Sequence, residues 1–436
     1  MKKKYRIILY TSIFLLCVVA SIILVVKKSN SVYEEESKPK VVKHKSMLSM
    51  NLEQTAGSGD YKTVTQSSWP TEGYKFNAEL SKCENGSTLS WDDTKKAVIM
   101  QGNVSDKCYV YFDIWIPSIA DYCTSGTDLA TCVKNFGDQG PSVSNIYIHN
   151  SSLTNGAGDN SYRYAGANPN NFVCFGSDAS PCPIDNLYRI IGVFGENYHG
   201  ANGKQLVKLI KYDYMTTDEL GTDGDYSQTY KEWGMDSTYK GTYGDGERIG
   251  VYFWNNDAGT NTWSTSLLNK TNLNTNFINY LGTTWANKIA SVTWKVGGNT
   301  WANIGTKTSS VAYTNEITNP VTTNTTDNAT TYSAKIGLMY VSDYGFAASP
   351  DAWTLTMSSY NNTTATNNNW MYMGLYEWTI SRSADPSGYA FYVNRGGYVS
   401  FSNVLDSFGV RASFNLESSV SYVSGSGSMS DPIVIN

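Results

Sequence analysis

The sequence predicts an α+β chain, built mostly of strands and held at a membrane by its N-terminus. Three observations carry that reading. Short apolar or alternating runs, cut by Gly- and Asn-rich turns, recur after the first sixty residues and read as strands. The best helix of the exported part is Trp263 to Leu281. Its residues Leu267, Leu268, Phe277, Ile278 and Leu281 recur at helical spacing, Thr262 or Ser264 can cap its start, and Gly282 can end it. Ile7 to Val26, with no polar stripe, has the length of a bilayer span.

Lys2, Lys3, Lys4 and Arg6 precede that span and Lys27-Lys28 close it, so the N-terminus is expected inside and the bulk of the chain outside. A cleaved signal peptide is the competing reading. No small-x-small site follows the apolar core, and residue 16, before Cys17, is a leucine, so an uncleaved single-pass anchor in the cell membrane is expected. Residues 1–45 hold ten Lys/Arg against three Glu, a net of +7. The whole chain is −5, which leaves −12 for the remainder. Such a chain has no basic patch for phosphates, and no nucleic acid is expected as a partner.

Set Cys17 aside and six cysteines remain on the exported side, at 83, 108, 123, 132, 174 and 182. Disulfides fit better than a metal, because CxxC spacings and partner histidines are missing. Their order suggests Cys83–Cys108, Cys123–Cys132 and Cys174–Cys182, one of the many connectivities six cysteines allow. No metal and no cofactor is expected.

Along the chain, residues 1–28 read as cytoplasmic tip and anchor, 29–60 as a stalk, 61–116 as a small β module and 117–160 as a connector with the second Cys pair. The main domain is placed at 161–436. Leu187 to Phe194 and Gln205 to Lys211 read as a buried β-hairpin. The acidic stretch 213–250 lacks EF-hand spacing, so Asp223, Asp225, Asp245 and Glu247 read as solvated turns. A short second helix is expected over Trp285 to Ile289, then a Trp294/Trp301 hairpin turning at Gly297-Gly298. Ala334 to Ser342 reads as a strand ended by a turn at Asp343-Tyr344-Gly345, and Ile433 to Ile435 as the last strand.

Two resemblances add to this. The run CENGS…W…DKCYVYFD resembles a Cys-stapled module found ahead of larger domains in anchored surface proteins of low-GC Gram-positive gut bacteria. In the main domain the order is hairpin, W-x-S-x-L-L-N helix, Lys335-Ile336-Gly337-Leu338-Met339, Trp378-Thr379-Ile380-Ser381-Arg382-Ser383 and Gly409-Val410-Arg411-Ala412. It resembles uncharacterised bacterial domains of the formylglycine-generating-enzyme and C-type-lectin-like superfamily. That family's pattern is Trp-Trp-Leu-Arg-Ser and Gly-Val-Arg-Pro; here the first arginine falls one place later and the proline is missing. The resemblance implies a compact C-type-lectin-like body of twisted antiparallel strands with one or two helices and long loops. Trp378, Gly409 and Arg411 would be framework, the guanidinium tying loop carbonyls to the core.

Chemistry is sparse. The histidines are at 44, 149 and 199, so a Ser-His-Asp triad in the main domain would rest on His199. No cysteine follows 182, so the thiols of formylglycine generation are missing. Trp254-Asn255-Asn256-Asp257 reads as a turn rather than a lectin calcium element. No catalytic residue is singled out. Two acids at a fixed separation would suffice for a hydrolase, but nothing ties a particular pair together. The exported part is rich in Tyr, Trp, Asn and Ser, the residues of adaptable recognition surfaces. The expectation is therefore a non-catalytic, anchored binding protein that recognises a host, cell-wall or neighbouring-cell protein or glycan. Arg382, Tyr389, Tyr392, Arg395 and Tyr398 are the candidate ligand-facing residues. The alternatives are a cell-wall hydrolase and a structural subunit of a surface assembly.

Overall fold

A computed structural model describes residues 47–436, apart from 66, 67, 71, 104, 196, 300, 321–328, 362–366 and 386. The expected anchor lies outside the described residues. Among these, no helix is long and apolar enough to cross a membrane. The architecture is mixed α+β, with mostly antiparallel sheets and few helices. The described residues divide into two compact units, one ending at Ile116 and the other running from Pro117 to Asn436.

In the first unit, β1 (Met47–Glu53), β2 (Tyr61–Val64), β3 (Tyr74–Cys83) and β6 (Lys107–Ile114) form a sheet in the order β2-β1-β6-β3. The hairpin of β4 (Thr88–Asp92) and β5 (Ala97–Gln101) is a separate two-stranded sheet in the same unit. The expected stalk is thus shorter than 29–60, because β1 pairs in parallel with β6. Polar residues at 51, 53 and 54 hid that strand. The Glu53 carboxylate is buried and accepts the Ile114 and Gly59 N–H groups, so burial there satisfies the backbone. Phe112 centres the small core, with Trp69, Phe76 and Trp91 within 6 Å of its ring. Cys83 and Cys108 face each other across β3 and β6 and are bonded. Asp106 lies beside them, but the sulfurs are spent on each other and the carboxylate accepts the Asn85 and Ser87 N–H groups, which leaves no metal site.

The second unit begins at 117, not 161. The helix Leu129–Gly137, capped by Asp128, buries Leu129, Cys132, Val133 and Phe136. β7 (Ile146–Ile148) is an edge of the main sheet. The supposed connector is therefore core, with Cys123–Cys132 bonded within it. The main sheet also holds β8 (Tyr162–Tyr164), β9 (Phe172–Cys174), β10 (Leu187–Phe194), β11 (Leu206–Lys211), β16 (Ile336–Gly337) and β21 (Ser413–Asn415), in the order β16-β21-β11-β10-β8-β7 with β9 pairing β10. The β10–β11 hairpin matches the sequence reading, and every residue of both strands is buried. The third disulfide joins Cys174 to Cys182.

The expected helix starts later than Trp263. Leu268–Phe277 is wound in wide π turns and runs on as α-helix from Ile278 until Gly282, non-helical at φ +70°, breaks it as expected; a short second helix follows and ends at Ala286, earlier than the expected Ile289. Asparagines account for the wide turns. Asn269 and Asn274 bond back to the chain at Trp263 and Asn269, and Asn272 donates to the Leu220 carbonyl. Asp225 is buried rather than in the solvated turn expected from the sequence: both its oxygens accept backbone N–H groups, from Asn256 and Leu268.

Two further expectations fail. Trp294 lies on β14 (Val292–Lys295), which pairs with β15 (Thr331–Ala334) instead of a strand at Trp301. Gly298 is used for close approach, not for a turn: a Cβ there would stand 1.7 Å from the Arg382 carbonyl oxygen. The run Ala334 to Ser342 is no single strand, because Asp343 accepts the Tyr340 N–H and turns the chain into the helix Val341–Phe346.

Candidate functional site

The stretch from 377 to 415 forms a three-stranded antiparallel sheet of β17 (Glu377–Arg382), β18 (Tyr389–Val393) and β19 (Val399–Asn403), followed by β20 (Ser407–Phe408) and β21. Its framework residues are deeply buried. The Trp378 indole N–H donates to the Tyr252 carbonyl at 2.9 Å. Gly409 packs against the Tyr214 and Tyr230 rings, where a Cβ would be at 2.9–3.0 Å. Arg411 donates twice to Glu377, at 2.8 and 3.0 Å, and to the Met371 carbonyl at 2.6 Å. The guanidinium therefore ties a loop carbonyl to the core, as expected, and adds an ion pair that the sequence did not reveal. Burial raises the Glu377 carboxyl above its ordinary value against the pull of Arg411.

The five candidate ligand-facing residues do not form one surface. Arg382 is 1% exposed, and its Nε donates to the Val296 carbonyl at 2.5 Å. Burial lowers its pKa to about 10. It is a structural arginine, and it leaves the candidate set. Strand alternation separates Tyr389, which shares its face with Phe391 and packs on Phe401, from Tyr392, which points to the other face against Trp378 and Phe408.

What remains is coherent. Tyr392, Tyr398 and Arg395 lie with Tyr376, Trp233 and Phe408. Trp233 is 39% exposed and packs on Tyr376 and Phe408; Tyr398 is 37% exposed. The Arg395 side chain is 54% exposed, lies over the Tyr376 ring and pairs with Asp236 at 2.5 Å. Thr238 N–H and then Arg395 hold the Asp236 carboxyl below its ordinary value. The turn that carries Arg395 is fixed from beneath. Asn394 Oδ1 accepts the Gly396 N–H at 2.8 Å, Gly397 has φ +89°, and buried tyrosine hydroxyls donate to the turn carbonyls, Tyr372 to Arg395 and Tyr344 to Gly397. Trp233 and Asp236 escaped the sequence reading, since they sit about 160 residues earlier in an acidic loop with no motif.

A separate shallow cleft of about 410 Å³ is lined by Asp218, Glu219, Asp223, Asn276, Asn279 and Tyr280. Glu219 is buried and paired with Lys211 at 3.0 Å.

His199 is buried, not presented to solvent. Its Nε2 meets Asp159 at 2.7 Å and Tyr313 at 3.2 Å, and Asp159 also takes Arg163 at 2.8 Å. Burial lowers the His199 pKa. Against burial, Arg163 and His199 hold Asp159 well below its ordinary value.

No family model, curated protein or solved structure matches this chain.

Proposed function

We propose that the chain is a membrane-anchored, non-catalytic cell-surface protein. Its second unit would be a C-type-lectin-like body that binds an extracellular protein or glycan through Trp233, Tyr376, Tyr398 and Arg395. The observation that carries the reading is a solvent-open guanidinium on an aromatic floor, mounted on a turn that buried tyrosines hold in place. Rings offer large contact area at little entropic cost, and a pre-fixed turn has little freedom left to lose on binding. The lectin-like reading is supported by the antiparallel body, the buried Trp378 and Arg411, and the long loops. Anchoring is supported by the apolar run Ile7 to Val26.

Binding of the full-length protein to arrayed glycans and to whole cells, scored for Trp233→Ala and Arg395→Ala, tests the reading. Each change should weaken binding about tenfold or more, the effect of a central aromatic or arginine anchor. Unchanged binding by both variants would remove this surface from the mechanism. Deleting residues 1–28 should move the protein out of the membrane fraction. The acidic cleft supports a second reading, a hydrolase. Turnover of a wall polysaccharide that is lost in Asp218→Asn or Asp223→Asn would favour it.

A further inference from the structure

Lys208 on β11 and Asp343 in the helix Val341–Phe346 are 135 residues apart in the chain, yet their side chains meet in the core at 2.5 Å. They are 3% and 1% exposed. Three aromatic rings enclose the ammonium: Tyr340, Trp294 and Phe194, at 4.4, 5.1 and 5.8 Å from Nζ to the ring centres. Two buried polar atoms beside the pair have no hydrogen bond among the described residues. One is Arg163 Nη1, 3.6 Å from Asp343 Oδ1; the other is Glu316 Oε1. The second oxygen of Glu316 accepts the N–H of Ser342, the residue next to Asp343.

We propose that Lys208 and Asp343 become joined by an intramolecular amide bond, with Arg163 stabilising the developing oxyanion and Glu316 relaying a proton. Burial lowers the Lys208 pKa, and transfer of its proton to Asp343, whose carboxyl, against burial, Lys208 and Arg163 hold below its ordinary value, gives the neutral amine and carboxylic acid that condense. An amine in contact with one carboxyl oxygen stands roughly 3–3.5 Å from the carbon, the separation of a near-attack pair. Nζ bonds to Cγ, and charge builds on the oxygen facing Arg163. The Cγ–O bond to the other oxygen then breaks. The leaving hydroxyl gains a proton and Nζ loses one, with Glu316, held at the Ser342 N–H, as the carrier between them, so one water is released. Burial pushes the Glu316 carboxyl up to about 7, which keeps a proton available for that relay. Charge stays balanced, since one positive and one negative group vanish together. Lys211 and Glu219 provide an internal comparison. They too are buried, at 3.0 Å, but Lys211 also donates to the Asp185 carbonyl, and the Glu219 carboxylate caps the turn at Thr216; that pair should stay ionic.

Intact mass of the full-length protein, reduced, alkylated and denatured, tests this. The wild type should be lighter than its sequence by one water, trypsin should fail to cut after Lys208, and a branched peptide should join Lys208 to Asp343. Lys208→Arg, which keeps the charge but not the nucleophile, should have the full sequence mass. Glu316→Gln should lower the cross-linked fraction severalfold. Full sequence mass in the wild type, or a water loss that maps elsewhere, overturns the bond. Complete cross-linking in Glu316→Gln overturns the relay.

Discussion

Arg411 and Arg382 both end up buried, but their charges are met differently. Arg411 has a carboxylate partner, so its removal would leave Glu377 buried without its counter-charge. Arg411→Met should cost about 3–5 kcal/mol in urea unfolding, and adding Glu377→Gln should recover much of the loss. Arg382 has carbonyl partners, and its burial shows as a lowered pKa. Glu316 makes a prediction in pH. Its folded pKa, about 7, lies above the ordinary 4.5, so the folded state binds more protons between those values. The group's stabilisation is full below the lower value and is lost as pH rises towards the upper one. Relative to Glu316→Gln, the wild type should therefore lose about 3 kcal/mol between about pH 5 and about pH 8. A parallel pair of stability curves would refute the protonated form.

Gly298 shows how an element can be misread from its own sequence. Paired glycines between tryptophans look like a hairpin turn, yet this glycine admits the backbone of Arg382, so Gly298→Ala should destabilise by about 1–3 kcal/mol in thermal or urea melts. The β10–β11 hairpin was legible because its apolar runs and its turn are local signals. The disulfide pairing was legible from chain order alone. The π-wound helix was not, because its geometry depends on Asn272 reaching Leu220 across 52 positions. The parallel β1–β6 pairing was hidden for the same reason: its partners are far apart and β1 carries polar residues. At the candidate site, the sequence named Tyr392, Arg395 and Tyr398 together with Tyr389, which the strand turns to the other face, and put Arg382 on the wrong side of the core boundary. No short-range pattern reports that Val296 would come to meet it.

The whole chain combines a large second unit with a small first one, whose core rests on Met50, Leu52, Val98, Val110 and Phe112. A core of that size needs a covalent tie. Cys83–Cys108 closes a 25-residue separation, for which chain entropy alone gives about 3–4 kcal/mol. Calorimetry of the Cys83→Ser/Cys108→Ser variant should show the first unit melting earlier while the transition of residues 117–436 stays in place. A single transition that shifts as one would contradict independent units. The turn at Asn394–Tyr398 has a different consequence. Its course is dictated by hydroxyls from Tyr344 and Tyr372, which bind carbonyls and are indifferent to the side chains that the turn itself displays. Positions 395 and 398 are therefore free to drift in sequence while the loop keeps its shape, so one scaffold can acquire new specificities without first losing its stability.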